Sequence, residues 1–242
     1  MKADRPSATA QLIAASLAYL ARDPLRGRFV PPDAAAIAAR CVEASPGPLR
    51  ALLPFVAGRP LRLAVGALER AILPGILLHY ALRKRYLEEI ARQALASGVG
   101  QLVVLGAGFD PLATRLAHDF PAATCIEIDH PATQGPKRRA LAAGGLLRPN
   151  LALLPADLAR DSPARALGDC PAHDPGRDTL FIAEGLLMYL ERPAVAAIFR
   201  AVRDHGGPRG RIAFTCIEPQ ADGRLRFDGA SPLLDRWLDL RG

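Results

Sequence analysis

Leu102-Val103-Val104-Leu105-Gly106-Ala107-Gly108-Phe109-Asp110 is an apolar β-type run that breaks into Gly-x-Gly. Some distance downstream, Ile126-Glu127-Ile128-Asp129 repeats the apolar run and ends in acid. Strand, glycine turn and acidic second strand describe the first half of a nucleotide-binding α/β sheet. Glycine lets backbone approach a ligand closely, and an acid ending the second strand accepts from ribose hydroxyls. The dinucleotide fingerprint puts a third glycine where this chain has Pro111, and that glycine permits tight packing beneath a pyrophosphate. Proline suits the first turn of the helix that follows, where its missing N–H costs nothing. Gly106, Ala107 and Gly108 therefore fit a cofactor with a ribose and no phosphates, of which S-adenosylmethionine is the common one.

Outward from this stretch, short apolar segments alternate with helical ones. Strands are expected at 101–105, 123–128, 150–154, 178–183 and 210–217, with helices at 111–119, 131–143, 160–167 and 191–204. That alternation predicts βαβ units and a mostly parallel sheet. Residues 164–178, rich in Pro, Gly and Asp, read as a surface loop. Upstream, residues 1–98 read as all helical: a helix at 7–22, a turn at 23–28, a helix opening at Pro31-Pro32-Asp33, helical patterning over 61–73, and a longer helix at 75–96 ending at Gly98. The chain thus divides into an N-terminal helical cap or lid, 1–98, and an S-adenosylmethionine-binding α/β domain, 99–242. After the fifth strand come a loop at 219–229 and one apolar stretch at 232–240, with no strand or hairpin to pair with the fifth. The sheet is therefore expected to be incomplete at its C-terminal side. An open edge is an association liability, so either the chain is a shortened form or a second copy covers the edge as a homo-oligomer.

With 242 residues and 50% apolar side chains, the chain can bury a sizeable core, which excludes a disordered protein. The net charge is +7, with arginine far outnumbering lysine. The basic residues are scattered, few aromatics interleave with them, and no nucleic-acid motif appears, so an arginine-rich coding background explains the charge better than a nucleic-acid partner. A preference for a small acidic substrate stays open. Cys41, Cys125, Cys170 and Cys216 lie far apart without metal-ligand spacing, and the five histidines are dispersed; no metal site or disulfide framework is expected, and the thiols read as reduced core residues. The segment 10–20 superficially resembles a signal peptide, yet its apolar residues repeat with helical spacing and no cleavage site follows. No apolar run is long enough to span a membrane. A cytoplasmic protein is expected.

Several motifs converge on one family. Gly106-Ala107-Gly108-Phe109-Asp110, Glu127-Ile128-Asp129-His130-Pro131, Asp157-Leu158 and Ala183-Glu184-Gly185-Leu186-Leu187-Met188-Tyr189-Leu190 resemble the leucine carboxyl methyltransferase family, and within it the bacterial branch that includes polyketide O-methyltransferases. The resemblance covers roughly residues 20–240. It implies a class I methyltransferase, Rossmann-like fold, S-adenosylmethionine as cofactor, and methylation of a carboxylate or another oxygen. The family's usual Asp-Thr-Arg after the glycine loop is here Asp110-Pro111-Leu112, so its arginine is missing; Arg115, one turn on, is placed to replace it in part. The family also runs on past residue 242 to finish its sheet.

Ligands of open α/β sheets bind outside the carboxyl ends of the strands, where each candidate falls. Gly106 and Gly108 either receive the methionine part of the cofactor or make an ordinary tight turn. Asp129 accepts from the ribose hydroxyls or caps the helix opening at Pro131. Strand alternation puts Glu127 on the same face, so it shares that role. Asp157 suits the exocyclic amine of adenine and Leu158 its face; the plainer reading of Asp157 is a solvated loop acid. Glu184, next to the transferable methyl, binds the cofactor's ammonium or offsets the sulfonium, or else caps the next segment. Tyr189 points into the substrate pocket or is a core aromatic. The resemblance matches Arg83 to an arginine that grips the cofactor's carboxylate, a role a guanidinium fork performs bidentately. Arg85 is its competitor, and Lys84 and Arg85 read as a solvated helix face. Methyl transfer is an in-line displacement, and a carboxylate acceptor, with a pKa of about 4, needs no general base. A phenol or alcohol acceptor would call on His130, the nearest candidate. Arg26 or Arg28 in the cap is available to meet an acidic substrate. Two rivals remain: a nicotinamide-dependent enzyme, disfavoured by Pro111, and an S-adenosylmethionine-binding scaffold without catalysis.

Overall fold

The structure, a computed structural model, describes residues 6–218. Its centre is β1 (Gln101–Leu105), all five residues buried. Leu102 and Val104 join one apolar layer and Val103 and Leu105 the other, which is why the strand is an unbroken apolar run. Around it lie β2 (Thr124–Asp129), β3 (Leu151–Pro155), β4 (Thr179–Ala183) and β5 (Arg211–Phe214). All pairings are parallel, in the order β3-β2-β1-β4-β5. The α/β architecture expected from the sequence is the observed one: β1 has the expected bounds, β2, β3 and β4 differ from theirs by one residue, and β5 starts one residue late and ends three early. The chain starts at β1, moves outward to β3, then returns to the other side of β1. That reversal opens a crevice between the loops after β1 and β4.

The helices are α1 (Ala8–Leu20), α2 (Pro32–Glu43), α3 (Pro48–Leu52), α4 (Arg59–Ile72), α5 (Ile76–Ala96), α6 (Leu112–Asp119), α7 (Pro131–Ala143), α8 (Pro163–Gly168) and α9 (Arg192–His205). Leu87, Ala91 and Leu95 of α5 and Leu116 of α6 pack on one sheet face, with Leu167 of α8 and Ile198 of α9 on the other. The end of α5 follows from sequence. Gly98 has φ +95°, Val99 N–H donates to Ala94 O at 3.1 Å, and Gly98 N–H donates to Leu95 O at 3.1 Å. This is a Schellman closure that only a residue tolerant of positive φ completes cheaply.

Among the upstream helices, α1 and α2 share a core with Phe109, Leu141 of α7 and Leu153 of β3. Arg115 ties α2 to α5 and α6, meeting Asp33 at 2.6 Å and also Glu88. By contrast α4 buries no residue, and Leu63 and Leu68 are 72% and 59% exposed. β5 is shorter than expected and presents Arg211 and Phe214 to solvent. The expected loop at 219–229 and apolar stretch at 232–240 lie outside the described residues. Cys41, Cys125 and Cys170 are buried free thiols as expected, whereas Cys216 is exposed rather than core. Burial pushes the Cys41 thiol up to about 11 and that of Cys125 up to about 12. No helix among the described residues is long and apolar enough to cross a membrane, and none of their His, Cys, Asp and Glu side chains cluster as metal ligands.

Candidate functional site

The crevice is built from the ends of β1, β2 and β4. After β1 the chain enters left-handed backbone at Gly106 (φ +66°) and Gly108 (φ +52°), a conformation that side-chain-bearing residues rarely adopt. A β-carbon at Gly106 would stand 2.9 Å from Leu186 Cδ1 in the loop after β4, and one at Gly108 would stand 3.1 Å from Ala10 Cβ of α1. Both glycines thus form a cradle, roofed by one flexible leucine and the first turn of the cap. Ser7, the N-cap of α1, donates its backbone N–H to Thr133 Oγ1 at 3.1 Å and so seats that turn over the loop. Ala107 between the glycines is buried.

Asp129 ends β2 and is buried, accepting from Gly108 N–H at 2.5 Å. Burial raises its carboxyl pKa above the usual range, against the opposing pull of the Gly108 N–H, Lys137 and His130. It does not cap α7. His130 is the N-cap, its Nδ1 accepting from Ala132 N–H at 3.1 Å, which leaves Asp129 aimed at the loop.

Glu127 lies on the same face, as alternation requires, yet it is not beside Asp129 at the crevice. It is fully buried beneath α7, with Lys137 Nζ at 2.6 Å from its Oε2. The contact is an ion pair by distance, without the angles of a directed hydrogen bond, and both carboxylate oxygens otherwise lack partners. Burial raises its pKa, Lys137 opposes, and Asp110 and Asp129 add to the rise. This is the physical correction to its expected ribose role: the carboxylate is spent on Lys137, which also donates to Asp110 O at 2.5 Å and so braces the glycine loop from below.

Asp157, partly exposed after β3, accepts from Ala159 N–H at 3.1 Å and lies 4.0 Å from His130 Nε2. The neighbouring Leu158 is buried in the apolar cluster of Leu105, Ile128 and Ala156. Glu184 caps nothing either, since the 3₁₀ turn Leu187–Tyr189 has Leu186 at its N-cap. Its Oε1 accepts from Arg83 Nε at 2.8 Å and its Oε2 from Lys84 Nζ at 3.2 Å. Lys84 Nζ also donates to Asp110 Oδ2 at 2.7 Å. Tyr189 is 64% exposed and is no core aromatic.

α5 therefore brings Arg83 to the crevice and leaves Arg85 exposed. It also overturns the expectation that Lys84 is solvated. Burial would lower the Lys84 pKa, but Asp110 and Glu184 raise it above the ordinary lysine value. For Asp110, burial pulls upward, and Lys84, Lys137 and the Leu112 N–H together hold the carboxyl below the usual range. Arg115 does not replace the missing arginine of the loop, because Asp33 and Glu88 occupy it. Nor is Arg26 available to a substrate, being paired with Asp23 and Glu69, each at 3.1 Å. Arg28 lies 4.9 Å from the Phe29 ring centroid.

Sequence reasoning missed Lys84, Asp110 and Lys137 as members of the site. For Lys137 a signal existed: Thr133, Gln134, Lys137, Ala140 and Leu141 follow the i, i+4, i+7 spacing of one helix face, and all are buried.

A parallel sheet of this order with a glycine-acid crevice at its reversal defines a Rossmann-like α/β fold of the class I kind. A crystal structure titled as a "putative methyltransferase" from Thermobifida fusca shares the fold with a TM-score of 0.53 at 22% identity, over 83% of this chain and 70% of that one. The sequence profile of the leucine carboxyl methyltransferase family matches residues 8–203, and the chain belongs to that family. Among its relatives, proteins named "Putative S-adenosyl-L-methionine-dependent methyltransferase" occur in Mycobacteroides abscessus and Mycolicibacterium smegmatis. The first is 36% identical over 151 residues, 62% of this chain and 46% of the relative. The second is 38% identical over 173 residues, 67% of this chain and 53% of the relative. The chain spans about half the length of the curated relatives it matches.

Proposed function

We propose that the chain is an S-adenosylmethionine-dependent methyltransferase that methylates an oxygen, a carboxylate foremost, of a small acidic molecule. The observation that carries this reading is Asp129, a buried carboxylate bonded to Gly108 N–H at the reversal of the sheet. The residues present fit the cofactor chemically. Gly106 and Gly108 leave a cradle that a β-carbon would fill; Asp129 suits ribose hydroxyls, and Asp157 and Leu158 suit adenine. Arg83 suits the carboxylate of the methionine part, and Glu184 suits its ammonium. When bound, the cofactor supplies an electrophilic methyl on a sulfonium. The chain's own task is to orient the acceptor oxygen and exclude water, with Leu186 and Ala10 as the roof that must yield to admit a ligand. An acceptor already ionised at neutral pH asks no general base of the chain.

The experiment is a calorimetric titration with S-adenosylhomocysteine, repeated on Asp129→Ala and Glu184→Ala, followed by methyl-transfer assays against a panel of carboxylic acids. Binding by the parent and its weakening in both variants is the expected result. No binding, or binding of a nicotinamide dinucleotide instead, overturns the assignment. Binding without transfer to any acid or hydroxyl compound would favour a cofactor-binding scaffold.

A further inference from the structure

Only three of the 31 basic residues are lysines; Lys84 stands in the crevice, and Lys137 lies fully buried beneath it. Among the described residues arginine serves nearly every other ion pair, including those that join the turn after α1 to α4. The two cations differ in shape. A guanidinium presents a planar fork, whereas an ammonium is a compact charge with three donors that can meet acceptors on diverging elements. Lys84 meets such acceptors: Asp110 Oδ2 at 2.7 Å in the loop after β1, and Glu184 Oε2 at 3.2 Å in the loop after β4. These two loops flank the reversal of the sheet, and Lys84 is their shared cation.

We propose that Lys84 is a positioning residue of the crevice: its ammonium fixes the loop after β1 against the loop after β4 and keeps Glu184 paired when Arg83 turns to a ligand carboxylate. The inference rests on the methyl-donor reading for its ligand, and on geometry alone for the bridge. Both oxygens of Glu184 are engaged, one by Arg83 and one by Lys84, and its side chain is only 8% exposed. If Arg83 were the sole partner, its departure would strand a largely buried charge, which is expensive. With Lys84 in place, Arg83 exchanges carboxylates at little cost. The lysine also stands where the missing loop arginine leaves Asp110 without a cation of its own loop.

The charged groups around the bridge are defined. Asp110 is faced by Lys84 from α5, Lys137 from α7 and Glu127 from β2. Glu184 is faced by Arg83, Lys84 and His79, all from α5. Removing Lys84 leaves two carboxylates short of one cation, and Asp110 loses the charge that holds its carboxyl below the usual range.

The test is S-adenosylhomocysteine affinity by calorimetry from about pH 8.5 down to about pH 4.5, close to the ordinary carboxylate values, for the parent, Lys84→Met, Lys84→Gln and Lys84→Arg, with Arg85→Gln as a charge control on the same helix. Lys84→Met is expected to lose about 10- to 100-fold in affinity at neutral pH and to weaken more steeply than the parent as pH falls. Lys84→Arg should recover only part of the loss, and Arg85→Gln should match the parent. Should Lys84→Met fail to fold, Lys84→Gln carries the same expectation. A Lys84 variant within about twofold of the parent at every pH would overturn the proposal. If the parent itself binds no S-adenosylhomocysteine, the methyl-donor reading falls, and carboxyl NMR titration of the free protein decides the bridge. An Asp110 pKa that rises in Lys84→Gln upholds it; an unchanged one overturns it.

Discussion

Two charged networks in this molecule use the same residue types to opposite ends. In the cap, Asp23, Arg26, Arg62 and Glu69 join the turn after α1 to α4. Burial pulls the Asp23 carboxyl upward, but the Arg26 and Leu25 N–H groups and the Arg26 guanidinium outweigh it and hold the carboxyl below its usual range. That is what a network for shape looks like. In and beneath the crevice four carboxylates, Asp110, Asp129 and Glu184 with Glu127 buried under them, meet three cations, Arg83 and Lys84 with Lys137 buried below. Burial lifts Glu127 and Asp129 above their usual range despite those cations. A protein tolerates such a surplus where a ligand relieves it, and a cationic sulfonium ligand would do so.

The comparison can be broken most severely at Lys137. Lys137→Met removes one partner of a fully buried pair and should cost about 3–5 kcal/mol in urea unfolding, because Glu127 is left charged or forced to protonate. Pairing it with Glu127→Gln should recover much of that loss. A single-variant cost below about 1 kcal/mol would place this pair with the weak surface bridges and erase the distinction between the networks.

Asp129→Asn sharpens the contrast, because stability and binding should part company. The folded-state pKa of Asp129 is raised, so its favourable contribution is present below its unfolded value of about 3.9 and is lost as pH rises through the folded value. At neutral pH the ionised group therefore costs the free protein stability. The amide oxygen still accepts from Gly108 N–H, so the variant should be as stable as the parent or more so at pH 7. S-adenosylhomocysteine affinity should nonetheless fall about 10- to 100-fold, since the charge-assisted bonds to ribose are gone. For Asp110, whose folded pKa is lowered, the sign reverses: its contribution is present above the unfolded value and is lost as pH falls through the folded one.

The sheet was legible because β1 and β2 are buried on both faces, and a continuous apolar run broken by Gly-x-Gly has few other readings. Asp129 and Glu184 were legible because strand ends in such a sheet point into one crevice. What the sequence concealed was which cation each acid would meet. Arg83, Lys84 and Arg85 are consecutive, and only the tilt of α5 against β1 and β4 decides that the first two turn inward. Glu127 was misassigned because strand parity gives the face but not the helix that covers it. Arg26 was misassigned because its partner Glu69 lies 43 residues away, on a helix whose packing no local pattern reveals.

Smaller effects separate backbone from clamp. Gly106→Ala should cost about 1–2 kcal/mol, since φ is +66° and Leu186 must shift aside. Its thermal midpoint and its ligand affinity should fall together. Arg115→Ala should cost a similar or slightly smaller amount, about 1 kcal/mol, by releasing Glu88 and Asp33 between cap and sheet, with ligand affinity hardly changed.

The smallest effect is expected where the sequence looks most committed. α4 carries a strongly one-sided apolar pattern, the usual mark of a helix pressed on a core, yet it buries no residue. Its hold on the rest of the cap runs through the half-buried Leu61 and Val65, which pack against the core, and through polar contacts: Glu69 with Arg26, Arg62 with Asp23, and Arg62 O accepting from Tyr19 at 3.3 Å. Leu63→Gln and Leu68→Gln should then each change unfolding free energy by less than about 0.5 kcal/mol, whereas Glu69→Gln should cost more than either. A loss above about 2 kcal/mol at either leucine would mean that its side chain is covered in solution, for that is the scale of deleting a buried aliphatic group and not a solvated one.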